Sequence, residues 1–482
     1  MEAVTFKYLL VGLFVFITFF LSYKGMKRTK DLKGFSIGNK DMSPVMIGIT
    51  MAASISSTAT FVINPGFVYT HGLAAYIHFG IAASLGILCA FILLSKGFRK
   101  LGDQQGSLTI PDWIYHRYND RGLSLFFAFI NLLSITFVVL ILVGCSILMS
   151  GMFPISQQTG LVITMLFVFS YVLMGGTYAH AYTNSFQGIM MIVIALFLFG
   201  QGLHHFEGGF FTSLQSVSTE YASVFNSSSN LYYSFFSVFL SGFIITFALM
   251  LQPHILTKIL YIKEDKDVNK FILTTAVVGI CFSLMLFIGF YAKLSGLVIA
   301  RQDAVVVEYI KHIFADTTFG MYFINFVSIT MLAAGMSTLD GILVSLSSMT
   351  VNDIYAPLSK NKMDPKKALL TSRITLILIG IISTILAWNP PKLVGLFAQK
   401  GVYGLAAASV FPILFGVLYK KEIPKFVLWG SSLIGLLGHL YLNLTGIVLN
   451  PAVSSTYSIM ASVTFGIIAL KVYEVRLRKV IL

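Results

Sequence analysis

The chain has 482 residues, 56% of them apolar and only 11% charged. A soluble domain carries about a quarter charged residues, so an ordinary globular enzyme is excluded. Disordered chains and disulfide scaffolds fall with it, because 43 Phe are present and only three Cys. The net charge of +14 raises nucleic acid as a partner, a reading that the placement of the charges removes.

Apolar spans follow one another at about 6–23, 43–70, 73–95, 122–151, 157–175, 180–202, 233–251, 271–292, 319–347, 374–388, 401–419, 426–443 and 454–470. Their length suits a bilayer core, and connections of about 14 residues leave no room for a separate soluble domain. Residues 1–482 therefore read as one all-α polytopic membrane domain of about 13 transmembrane helices. An odd number of spans puts the termini on opposite faces. Alternate connections, from Lys24–Lys40 through Lys96–Arg121, Lys258–Lys270, Lys360–Arg373 and Lys420–Lys425 to Lys471–Lys479, hold 27 of the 33 basic residues. The other face has Lys7, Lys293, Arg301, Lys311, Lys392 and Lys400. The positive-inside rule then places the N-terminus outside and the C-terminus in the cytoplasm, in the cell (plasma or inner) membrane. The basicity is a topology signal, so no nucleic-acid partner is expected.

The first span is expected to stay in the membrane, because its positive cluster follows the apolar run instead of preceding it. Cys89, Cys145 and Cys281 lie within spans and read as packing residues. Sequons at Asn226 and Asn443 fall on the expected outer side. Phosphate loops, dinucleotide fingerprints, His-Glu-x-x-His and Gly-x-Ser-x-Gly are all missing from the sequence, so no enzyme activity is expected. His204, His205 and Glu207 read as solvated span-end residues, and Lys96–Arg121 as an interfacial turn.

Two spans depart from plain hydrophobicity. Span two runs Met51-Ala-Ala-Ser-Ile-Ser-Ser-Thr-Ala-Thr60 and then Phe-Val-Ile-Asn-Pro-Gly66. A helix interrupted in hydrocarbon persists only where it lines a polar cavity or is buried in protein, and its freed carbonyls and hydroxyls suit a hard monovalent cation. Serines that merely let helices approach would give the same pattern. Span nine carries Ala333-Ala-Gly-Met-Ser-Thr-Leu-Asp340-Gly, then Ser345, Ser347 and Ser348. Asp340 is the one carboxylate placed well inside a span, which makes it a functional hypothesis. Ser337 and Asp340, three apart, share a helix face.

Four segments resemble the sodium:solute symporter family. They are the Ala-Ser-x-Ser-Ser stretch of span two, Gly175-Gly-Thr-Tyr-Ala-His-Ala-Tyr-Thr-Asn-Ser-Phe-Gln-Gly188, Gln252-Pro-His-Ile255, and Ala333–Thr338 with Asp353-Ile-Tyr355. The likeness covers essentially the whole chain. It implies the LeuT-like fold, with two inverted five-helix repeats at about 43–202 and 233–419 and peripheral helices at 6–23, 426–443 and 454–470. Span seven shows no mid-span proline, so the internal symmetry rests on the resemblance alone.

The resemblance implies that Na⁺ is the coupling ion of a secondary transporter that symports a small organic solute by alternating access. The main sodium site would use the carbonyls of Ala53, Ser56 and Ala334 with the hydroxyls of Ser337 and Thr338. Where the family has Asp in its Trp-Thr-Asp stretch, this chain has Asn184, and the serines of a second cation site fall on Asp340 and Gly341. Either Asp340 and Asn184 face each other around a second Na⁺ or a proton, or the second site is lost. Ser57, Thr58, Ala59, Ile245 and Leu249 would line the solute site. The last three stand where proline carriers place aromatics, which favours a carboxylate, amino acid or pantothenate-like acid over proline. A proton-coupled symporter using Asp340, and a transporter-like sensor, are the alternatives. The expected partners are the solute and the lipid bilayer, with no obligate protein.

Overall fold

The computed structural model describes residues 3–314, 317–359, 364–390 and 394–481, and every regular element among them is helical. Lys360, Lys362 and Lys392 of the charge count lie outside the described residues. Among the described residues, ten helices are long and apolar enough to cross a membrane, or twelve if each of two sharply bent pairs is one span.

The 45-residue helix Gln157–Gln201 contains one non-helical residue, Gly176, at φ 51° and ψ −128°. A straight helix of that length would run about 67 Å, roughly twice the bilayer core. Gly176 divides it between the expected spans 157–175 and 180–202, and a total of thirteen crossings requires counting its halves separately. Only glycine takes this backbone easily. A Cβ there would also meet the Phe35 ring at 2.4 Å.

The first bent pair is Pro44–Ile55 and Ala59–His71, at 57°. Ser43 caps its start by accepting the Met46 N–H, with Pro44 in the first turn. The helix stops at Ser56 (φ −90°, ψ 76°), and the Ser57 hydroxyl accepts the Ala59 N–H at 3.1 Å. Short polar side chains that bond their own backbone in this way compete with the helical ladder. The break thus falls at the serines, whereas Pro65 sits in the first turn of the outer segment Asn64–His71.

The second pair corrects the expectation for span seven. The segment expected to end at 251 instead bends by 66° between Phe236–Leu249 and Pro253–Tyr261. Gln252 is extended (φ −66°, ψ 148°), as a residue before proline tends to be, and Pro253 opens the second half. Lys258, expected in a connection, is consequently buried at 1% exposure.

Span nine forms the axis of the bundle. Its helix, Phe319–Leu358, is 94% buried over its apolar window, against 11% for the first span. It packs on the helices of spans two, four, five, six and ten. Wide π turns interrupt several helices, at Ala59–Ile63, Ile77–Ala82, Phe236–Leu240 and Thr350–Tyr355.

Candidate functional site: a helix break facing span nine

Where span two breaks, the carbonyls of its last turn lose their intrahelical donors. Span nine supplies replacements. The Ser337 hydroxyl lies 2.9 Å from the Ala53 carbonyl and 2.8 Å from that of Ala334, and the Thr338 hydroxyl donates to the Ser54 carbonyl at 3.0 Å. In return the Ser54 hydroxyl donates to the Ser337 carbonyl at 3.3 Å. Ala53, Ala334, Ser337 and Thr338 therefore meet in one place, and Ser56 caps the helix end beside them. All five are buried. The oxygens are neutral and enclosed, that of Ala53 freed by the break while Ala334 lies within the helix of span nine, a donor set of the kind that fits a dehydrated monovalent cation.

Asp340 lies one turn further along span nine and is fully buried. One oxygen accepts from His180 Nδ1 at 2.8 Å, the other from the Tyr171 hydroxyl at 3.1 Å. Asn184 engages other groups: its amide donates to the Ser337 carbonyl at 2.6 Å and the Ser54 hydroxyl at 3.1 Å. Asn184 and Asp340 share no hydrogen bond, the Asn184 Oδ1 is buried without a partner, and the donors sort into two layers. Asn184 meets Ser337 in one, and His180, four residues earlier on its helix, meets Asp340 in the other. Lys258 closes the second layer from the bent half of span seven and donates to the His254 carbonyl. Asp340 thus accepts one protein donor on each oxygen, and Lys258 lies within the same buried layer.

A cavity of about 340 Å³ opens beside the break in span two. Ser57, Ala59, Ile245 and Leu249 line it, with Thr60, His78, Thr246, Gln252 and His254. Thr58 is the exception. It is fully buried against Gly144 and Gly335, whose added Cβ atoms would meet it at 2.6 and 2.7 Å, so it packs toward spans four and nine. The half-turn offset of an irregular segment separates neighbours that sequence spacing alone puts together. Among the described lining residues there is no Asp, Glu, Lys or Arg.

His180, Tyr171 and Lys258 escaped sequence reading. Lys258 stands in the run Ile255-Leu-Thr-Lys-Ile-Leu-Tyr-Ile262, where apolar neighbours on both sides were the available signal.

A polytopic bundle with two bent spans beside a largely apolar cavity that carries a few hydroxyls, amides and imidazoles is the architecture of a secondary transporter. The sodium:solute symporter family model matches residues 35–435. A sodium/pantothenate symporter of Haemophilus influenzae is 25% identical over 477 residues, covering 96% of this chain and 95% of its own. The high-affinity proline transporter PutP of Bacillus subtilis is 25% identical over 429 residues, covering 85% and 86%. Among solved structures, a substrate-bound, outward-open Na⁺-coupled sialic acid symporter aligns over 97% of both chains at TM-score 0.81 and 17% identity, a likeness of fold. The chain belongs to the sodium:solute symporter family, and it has the LeuT-like fold. It is a membrane transporter and no enzyme, a symporter of a small solute with Na⁺ as coupling ion.

Proposed function

We propose that the chain carries a small organic acid or amino acid into the cell, with Na⁺ held by the carbonyls of Ala53, Ser56 and Ala334 and the hydroxyls of Ser337 and Thr338. The observation that carries this reading is the cross-span bonding of Ser337 and Thr338 to Ala53 and Ser54. An ion there ties span two to span nine, so its binding favours one arrangement of the bundle and is linked in free energy to solute binding. The two repeats are taken as 43–202 and 233–419. Support comes from the bent span near the start of each, at 57° and 66°.

The solute site is the 340 Å³ cavity, near the lower end of the range for small-molecule sites. Ser57, Ala59, Ile245 and Leu249 line it, and hydroxyls, amides and two imidazoles supply its polarity. A lining free of carboxylates favours an acid or zwitterion over a cation. The excess of basic residues in alternate connections supports an outside N-terminus and a cytoplasmic C-terminus. One Na⁺ moving down about 100 mV and a tenfold gradient yields about 3.7 kcal/mol, enough to concentrate a neutral solute roughly several hundredfold.

The test is thermal stabilisation of the purified protein by a panel of carboxylates, amino acids and sugars, in NaCl and in KCl. A ligand that stabilises only in sodium supports the reading and names the solute. Stabilisation indifferent to sodium overturns the sodium site.

A further inference from the structure

Charged groups fully enclosed in a membrane protein need a counter-charge, because desolvation penalises each one singly. Asp340 and Lys258 are both enclosed, at 0% and 1% exposure, and they come from different spans. Between them stands Gly341. A Cβ on this glycine would lie 2.8 Å from His180 Cε1, 3.3 Å from His180 Nε2 and 3.5 Å from Lys258 Nζ. The imidazole and the ammonium therefore close over position 341, and a side chain offered there to an ion would collide with the ring.

We infer that Lys258 is the built-in counter-cation of Asp340 and takes the place of a second sodium ion, so that the transporter binds one Na⁺ per chain. The inference rests on the proposed sodium reading and adds the residue that sets the ion count. The geometry gives two supports. Each Asp340 oxygen already accepts one protein donor, from His180 Nδ1 at 2.8 Å and from the Tyr171 hydroxyl at 3.1 Å. Lys258 sits four residues beyond His254, which lines the cavity, and bonds its carbonyl. The tethered cation is thus carried on the same half-helix that forms part of the solute site. A free ion beside Asp340 would add positive charge to a cluster that already holds its own.

Saturation binding of ²²Na⁺ to the purified protein tests this directly. One ion per chain is expected for the unaltered protein, with a Hill coefficient near one. Lys258→Met frees the Asp340 carboxylate and is expected to raise the count toward two, whereas Lys258→Arg keeps a cation and leaves it at one. Lys258→Met with Asp340→Asn should return the count to one. Two ions bound by the unaltered protein overturn the inference, whether or not any variant folds. A count that stays at one in a folded Lys258→Met variant also overturns it, because another group is then excluding the ion. No saturable sodium binding at all would instead bring down the sodium reading itself.

Discussion

Ser337 is the residue on which the proposed sodium site turns, and Ser337→Ala isolates its contribution. Its hydroxyl sits 2.9 Å from the Ala53 carbonyl and 2.8 Å from that of Ala334, linking the end of span two to span nine. In the ion-free protein, alanine forfeits one hydrogen bond worth about 0.5–1.5 kcal/mol and leaves a buried carbonyl short of a donor, at about 1–3 kcal/mol. In the ion-bound protein it deletes one ligand oxygen of five. A ligand worth about 1.4 kcal/mol or more corresponds to a tenfold or larger rise in the sodium concentration for half-maximal response. The assay is solute uptake into proteoliposomes as a function of external Na⁺ at fixed membrane potential. Ser328→Ala is the control, since that hydroxyl only bonds the Ile324 carbonyl of its own helix, at 2.8 Å. A folded Ser337→Ala protein whose half-saturating sodium stays within about twofold of the parent would refute the assignment.

Other substitutions probe the remaining geometry. Ile245→Trp fills the cavity and should abolish stabilisation by the solute while leaving stabilisation by sodium intact; loss of both would separate Ile245 from the solute site. His180→Ala strips one donor from the buried Asp340 carboxylate and should cost about 3 kcal/mol. Adding Asp340→Asn should recover much of that loss, measured as folded yield and thermal midpoint; a double variant as unstable as the single refutes the pairing. Gly176→Ala places a side chain in a backbone region nearly reserved for glycine, at about 1–3 kcal/mol, and against Phe35 as well. Its folded yield by fluorescence-detected chromatography should fall several-fold, and unchanged yield would mean that the break is not needed. Thr58→Ser, which faces spans four and nine, should leave the solute concentration for half-maximal uptake unchanged; a several-fold rise would return Thr58 to the cavity.

Much of the architecture was legible because the bilayer imposes one strong rule, an apolar run of set length. The same rule hid the rest. Span seven reads as ending at Leu251 because polar Gln252 and Pro253 follow it, yet the chain only bends there and stays buried to Tyr261. Lys258 reads as a connection residue for that reason, although it is buried in the layer of Asp340. Ser337 and Thr338 stand out in the sequence because hydroxyls inside a span carry their own signal. His180 does not, since a histidine between two alanines gives no hint that a carboxylate 160 residues later lies 2.8 Å away. Thr58 went astray through local geometry, because helical or strand periodicity assigns a face only where the backbone is regular.

The π turns described above bear on how such a helix is to be traced. A π turn holds one residue more than an ordinary turn, which advances every later side chain by about 100° around the axis. Ala59–Ile63 and Phe236–Leu240 lie in the two bent spans, and each precedes or follows the bend on the same segment. In both spans the part beside the cavity is therefore out of angular phase with its own extension toward the membrane surface. No single hydrophobic stripe can be drawn along either one. In each span the surplus residue is taken up inside continuous helix, so the change of face needs no further break in the backbone.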